Sequence, residues 1–406
     1  MENLNEGSVM QGQKQGLLIC AMALGHGFTH WFVTGFFLIL PYLSQEFGLS
    51  FSQAGSIVAA KSAVTSSANL PAGAICDMFD RRRLLMVIAI VWPSLFYLIL
   101  GVSDVYLIAL VSAALVGFGS ALWHAPAMST LTNTFPKRKG FALSIHETGA
   151  NLGDLLAPVT IGFMLAALTW RTTLFANILP AFLVAVLIWY AAPKSGTLTR
   201  NAMTWRTYGD ALKTMFTNRM LLALSAISAC RTMGQMALST FLPIYLAYEL
   251  KLDPIAVGLY VGILTAASIF TGPVMGTLSD RVGRRPILLF GLAAASLLVS
   301  SLGVSRMGLP FIAALFLLGL FLFSMRPVIF AYALDVTAKE VTSSVISFVY
   351  GMNTLFASLS PLIAGFIADA FGLTYTFFFV GGLILAAFVV ALFLPTPKVA
   401  KKLAVS

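Results

Sequence analysis

A few ionisable side chains stand inside long apolar stretches, where each costs several kcal/mol and is by default a functional group. His26 and His30 are four residues apart, so on a helix they share a face that Thr34 extends. Lys61 follows Phe51 by ten residues, about 15 Å into an apolar run and close to a membrane midplane. Its amine cannot easily snorkel out from there. Trp123 and His124 precede Pro126. Glu147, Asn151 and Asp154, spaced four and three, make a polar stripe of two turns from which His146 points away. Arg231 and Gln235 are again four apart, and Arg326 stands beside Pro327.

These types suit two tasks. Proton carriage needs a group that changes charge near neutral pH; buried carboxylates and histidines do so. Glu147 is the first choice for the coupling proton, with His26, His30 and Asp154 beside it. Anion binding suits guanidinium, which holds a carboxylate or phosphonate through two parallel hydrogen bonds. Arg231 and Arg326, from opposite sides of the second half, are expected to grip the anion. Lys61 and His30 complete the site from the first half, and His124, Gln235 and Asn151 line it. Three deep cations against two deep carboxylates leave the site net positive. A second reading remains open, in which these groups only neutralise one another, for instance Lys61 with Glu147 or Asp154. Asp335, nearer a membrane face, reads as a structural ion pair or cap. His26, His30, His124 and Glu147 are plausible ligands for a borderline metal, but only the first pair has local ligand spacing, and the nearby cations would repel one. No metal and no cofactor are expected.

The elements that position these groups follow from composition. With 59% hydrophobic and 10% charged residues over 406 positions, the chain carries far less charge than the roughly 25% of a soluble protein. It reads as an all-α, polytopic membrane protein. Apolar runs long enough to cross about 30 Å of hydrocarbon fall near 17–44, 51–76, 84–102, 105–132, 140–168 and 172–192, then near 219–249, 255–279, 286–305, 309–335, 342–368 and 374–395. Twelve spans therefore divide into six-helix bundles over 1–192 and 219–406, joined by a polar linker over 193–218. Almost all lysines and arginines outside the spans fall on the side of the linker and termini; Arg171, Lys251 and Arg306 are the exceptions. By the positive-inside rule that side is cytoplasmic, and the net charge of +10 is a topology signal with no nucleic-acid partner behind it. Cys20, Cys76 and Cys230 show no pairing or metal spacing. The first apolar run is too long for a removable signal peptide.

The two bundles are copies. Gly73-Ala-Ile-Cys-Asp77-Met-Phe-Asp80-Arg81-Arg82-Arg83 returns 203 positions later as Gly276-Thr-Leu-Ser-Asp280-Arg281-Val-Gly283-Arg284-Arg285, and the same shift superposes Gly55 on Gly258, Pro158 on Pro361 and Gly162 on Gly365. The loop G-x-x-x-D-R-x-G-R-R resembles the signature of the major facilitator superfamily. That resemblance implies two pseudo-symmetric six-helix bundles related by an axis along the membrane normal, which rock about a central site. It also implies a cavity lined by spans 1, 2, 4, 5, 7, 8, 10 and 11, the spans that carry every deep polar group above. The charged loops, with Asp77, Arg81, Arg82 and Arg83 and their copies Asp280, Arg284 and Arg285, are expected to latch the cytoplasmic face.

Gly25-His26, Leu40-Pro41-Tyr42-Leu43-Ser44-Gln45-Glu46-Phe47, Val116-Gly117-Phe118-Gly119-Ser120 with His124, and Gly149-Ala-Asn151-Leu-Gly153 are similar to the fosmidomycin-resistance type of exporter. Gly149, Gly153, Pro158 and Gly162 also partly resemble an antiporter motif, close packing of small residues being the other reading. No phosphate loop, nucleophile elbow or paired-carboxylate signature appears, so the chain is read as no enzyme. The expectation is a monomeric, proton-coupled secondary transporter of a small, anionic organic solute in the cytoplasmic membrane, working in efflux. Uptake of an organic anion or siderophore is the alternative, with metal-ion transport behind it.

Overall fold

A computed structural model describes residues 2–79, 81–194, 215–305, 307–336 and 342–395. Most of the expected linker lies outside them, as do the side chains of Gly73 and Asp77. The described chain is helical, with α1 (Glu2–Glu46), α2 (Phe51–Phe79), α3 (Arg82–Gly101), α4 (Tyr106–Ala121), α5 (His124–Thr134), α6 (Lys139–Ala167), α7 (Trp170–Ala176) and α8 (Ile178–Ala191) in its first part. There follow α9 (Arg219–Tyr248), α10 (Pro254–Val282), α11 (Arg284–Leu302), α12 (Leu309–Asp335), α13 (Thr342–Phe371) and α14 (Tyr375–Leu392). Among the described residues, ten segments are long and apolar enough to cross a membrane. They stand at ten of the expected spans, and α2 and α10, 29 residues each, stand at the second and eighth. The protein is a multi-pass, all-α membrane protein.

Two expected spans are broken, and proline explains both. α4 gives way to α5 at Leu122 and Trp123, and Pro126 lies four residues beyond Leu122. Proline has no N–H to return to the carbonyl four residues back, and its ring crowds that carbonyl. Leu122 and Trp123 instead donate three residues back, to Gly119 and Ser120. Pro180 lies four residues beyond Ala176, the last residue of α7 before the break at Asn177.

The chain forms two compact units, one of Met1–Phe47, Ala60–Arg200 and Asp253–Gly258, the other of Gly48–Ala59, Asn201–Leu252 and Leu259–Ser406. In the first, α1 packs on α6 and α8, and α3 on α4 and α8. In the second, α9 packs on α13 and α14, and α11 on α12 and α14. Since α9 repeats α1, α13 repeats α6 and α14 repeats α7 with α8, the pairing pattern is the same in both. Small residues set the closest of these crossings. A Cβ built on Gly149 would overlap the carbonyl of Ala23, and one on Gly153 the carbonyl of Gly27. These two glycines therefore bring the backbones of α1 and α6 together, as small-residue packing requires.

The charged turn differs between the copies. Gly283 alone joins α10 to α11, at φ +108° and ψ 149°, a region essentially closed to residues with a Cβ. The first copy has Asp80 at the matching position, and its arginines bond in a different register. Arg285 donates to the Leu392 carbonyl at 2.6 Å. The matching carbonyl, that of Trp189, is taken by Arg83 at 3.1 Å rather than by Arg82. Arg83 also stacks on the Trp189 ring at 4.0 Å, whereas Arg82 is buried.

Candidate functional site

The first unit gathers four histidines, including the one expected to point away. His26 and His146 stack with ring centroids 3.8 Å apart and planes 18° from parallel. His30 at 4.8 Å and His124 at 5.2 Å meet His26 edge-on. The stripe of Glu147, Asn151 and Asp154 was expected to be the working face of α6. The face buried against α1 is instead His146, Gly149, Ala150, Gly153 and Ala157, because only small side chains admit so close a crossing and His146 lies two turns before Gly153 on it. Glu147 is 64% exposed with Oε1 3.8 Å from His146 Nδ1, and Asn151 is exposed.

Hydrogen bonds settle the tautomers. Indole N–H can only donate, and Trp123 Nε1 donates to His146 Nε2 at 3.1 Å; that nitrogen is unprotonated and His146 carries its proton on Nδ1. His26 Nδ1 donates to the His146 backbone carbonyl at 3.0 Å. Its Nε2 is buried with no hydrogen-bond partner, so an extra proton there would be an uncompensated buried charge. Ligand atoms of His26, His146 and Glu147 lie within 4.8 Å of one another, close enough to raise the question of a metal. An imidazole lone pair lies in its ring plane, however, and two stacked, nearly parallel rings cannot both aim at one ion.

One turn along α1, His30 Nδ1 is 2.9 Å from Asp154 Oδ2, and Thr34 donates to Asp154 Oδ1 at 2.6 Å. Both partners of the His30–Asp154 pair are 34% exposed. Lys61 has neither carboxylate as a partner. Its amine is buried without a hydrogen bond, 4.8 Å from the Phe36 ring centroid and 5.9 Å from that of Phe37, a cation–π position. The mutual neutralisation of Lys61 with Glu147 or Asp154 is thus not what the fold builds.

In the second unit Arg231 is buried at 1% exposure. Its Nη1 donates to the Leu322 carbonyl at 2.8 Å and to Gln235 Oε1 at 2.9 Å, and its Nη2 to Thr232 Oγ1 at 3.1 Å. All three acceptors are neutral. Arg326 is exposed, one turn beyond Leu322 on α12. The two arginines sit on the spans expected of them, α9 and α12, which the Arg231–Leu322 bond ties together. Among the described residues no carboxylate pairs with either arginine.

At the second charged turn, Arg284 is shared. Nη1 lies 2.5 Å from Asp280 Oδ1 and bonds Ser279 Oγ at 2.6 Å, while Nε bonds Asp335 Oδ2 at 3.0 Å. Asp335 is therefore an ion-pair partner. Gly276 has open space around it and Arg281 is exposed. Arg81 is exposed as well.

Sequence reasoning turned His146 outward and paired the Trp123 indole with nothing; the fold brings the two together. The run of small residues at 149, 150, 153 and 157 was the available signal, since it marks the packed face on which His146 lies.

Among known proteins, the chain is 28% identical over 262 residues to a probable 4-methylmuconolactone transporter of Cupriavidus pinatubonensis, covering 63% of this chain and 60% of that protein. It is 23% identical over 366 residues to the cis,cis-muconate transport protein of Acinetobacter baylyi, covering 86% of this chain and 88% of that one. A solved bacterial homologue of the human lysosomal transporter Spinster, inward-facing and unoccupied, matches with TM-score 0.77 at 15% identity over 96% of this chain and 97% of that one. A family model matches residues 22–245 and 224–405, which between them take in all the groups described above, and the chain belongs to the Major Facilitator Superfamily.

Proposed function

We propose that this protein is a proton-coupled carrier of a small organic anion, working by alternating access in the cytoplasmic membrane with both termini in the cytoplasm, and that it takes the anion up. The observation that carries the reading is Arg231, a buried guanidinium whose partners are all neutral and whose Nε has none, with a second arginine close by and, among the described residues, no carboxylate on either. Such a charge lacks compensation until an anion arrives. Two relatives are named for transporting muconate and a muconolactone, and muconate is a dicarboxylate. Moving it inward against a negative interior costs about 2.3 kcal/mol per charge per 100 mV, so uptake requires protons to travel with it. The histidines and acids of the first unit are groups of the right kind to carry them.

Export in exchange for protons, the direction favoured by the residues similar to the fosmidomycin-resistance type, is the second reading. Proteoliposomes made acid outside decide between them. Labelled cis,cis-muconate is expected to accumulate inside and to be lost when a proton ionophore collapses the gradient; exclusion from the lumen would establish export instead.

The Arg284 ion pairs serve as a latch in this reading. Asp280→Asn is expected to lower the maximal transport rate without altering half-saturation, and a raised half-saturation at an unchanged rate would remove the loop from that role. Arg284 still has Asp335 in this variant, so the double variant Asp280→Asn, Asp335→Asn should be slower again.

A further inference from the structure

Span four is interrupted at Leu122 and Trp123, and the side chain at that break holds the spans around it. The Trp123 ring lies over Gly25 of α1, where a Cβ would overlap it. It is fully buried and runs 3° from parallel to His146, with centroids 6.2 Å apart. Its one polar atom donates to His146 Nε2. His146 Nδ1 already carries a proton and faces Glu147, so Nε2 is the only nitrogen through which this ring can accept another.

We propose that Trp123 and His146 form the switch by which proton uptake moves the first unit: the indole N–H occupies the nitrogen that must be protonated, so a proton arriving there breaks the bond and releases α5 from α6. This rests on the proton-coupled reading above. The step forms one N–H bond on His146 and leaves two N–H groups face to face, which cannot hydrogen-bond. The imidazolium keeps its Nδ1–H toward the carboxylate of Glu147, 3.8 Å away. Of the other titratable groups, His26 of α1 stacks on it, and His30 of α1 and His124 of α5 meet His26 edge-on; Asp154 is held by His30 and Thr34. Glu147 is the carboxylate that faces His146 itself, so it is the counter-ion. The break in span four puts the indole in reach of α6.

The test uses full-length protein in proteoliposomes with labelled cis,cis-muconate as probe, comparing gradient-driven accumulation with gradient-free exchange between pH 5 and 8. His146→Gln keeps an acceptor for the indole but cannot be protonated. Exchange is expected to persist while accumulation falls at least about tenfold. Trp123→Phe keeps an aromatic ring but frees Nε2, so protonation becomes easier and the pH of half-maximal accumulation is expected to rise by about one unit. Accumulation by His146→Gln at the wild-type level, or an unmoved pH profile in Trp123→Phe, overturns the switch. A substrate-free arm uses tryptophan fluorescence, because a protonated imidazole quenches a neighbouring indole. The wild type is expected to dim on acidification in a step that His146→Gln lacks, and an identical pH response in the two proteins overturns the proposal. That arm decides the switch even if the wild type fails to carry muconate, an outcome that counts against the substrate reading alone.

Discussion

Arg231→Ala is expected to abolish anion accumulation and to weaken muconate binding by about a hundredfold, the equivalent of losing one or two hydrogen bonds to a charged group at about 1.5–3 kcal/mol each. Arg231→Lys should recover little of it. An ammonium retains the charge but cannot serve Leu322, Gln235 and Thr232 from one plane and still present a fork to a carboxylate. Arg326→Ala, at an exposed position, should cost less, since a charge nearer water is better screened. Isothermal titration of the purified variants measures the three affinities, and a melting curve for each separates lost binding from lost fold. Arg231→Ala binding muconate as the wild type does, with a normal melting temperature, would leave the arginine a purely structural tie between α9 and α12 and remove the main support for an anionic substrate.

The largest expected effect on stability is at Gly149. An added methyl would overlap the Ala23 carbonyl, and a backbone atom cannot turn aside as the tip of a side chain can. Gly149→Ala should therefore force α1 and α6 apart and cost about 3 kcal/mol, the upper part of the usual range for overpacking. His26, His30 and Thr34 ride on α1 and their partners His146 and Asp154 on α6, so the same change should also disturb the histidine stack and its pH response. Gly276→Ala is the matched control, because nothing lies within 4 Å of a Cβ there. Equal melting temperatures for the two variants in detergent would show that the crossing tolerates the methyl.

How much of this was legible beforehand depended on the range of the interaction involved. The length of apolar runs, the positive loops and the 203-residue repeat are local or periodic quantities, and they determined the all-α membrane fold, the place of each span and the exceptional character of Lys61, Arg231 and Arg326. A charge in an apolar run is conspicuous whatever surrounds it.

Which groups meet was decided only by tertiary structure. Reading α6 by its polar residues selected the stripe of Glu147, Asn151 and Asp154, yet its packing against α1 is governed by the glycines one position round, and that rotation brought His146 inward and left Glu147 and Asn151 exposed. Asp154 found His30 and Thr34, and Lys61 found two phenylalanines in place of a carboxylate, since each choice depends on how closely neighbouring backbones approach. The helices that carry the arginines were legible; that Arg231 ties α9 to α12 follows from a carbonyl 91 positions away in the chain, and no spacing rule within one helix reports a bond of that separation.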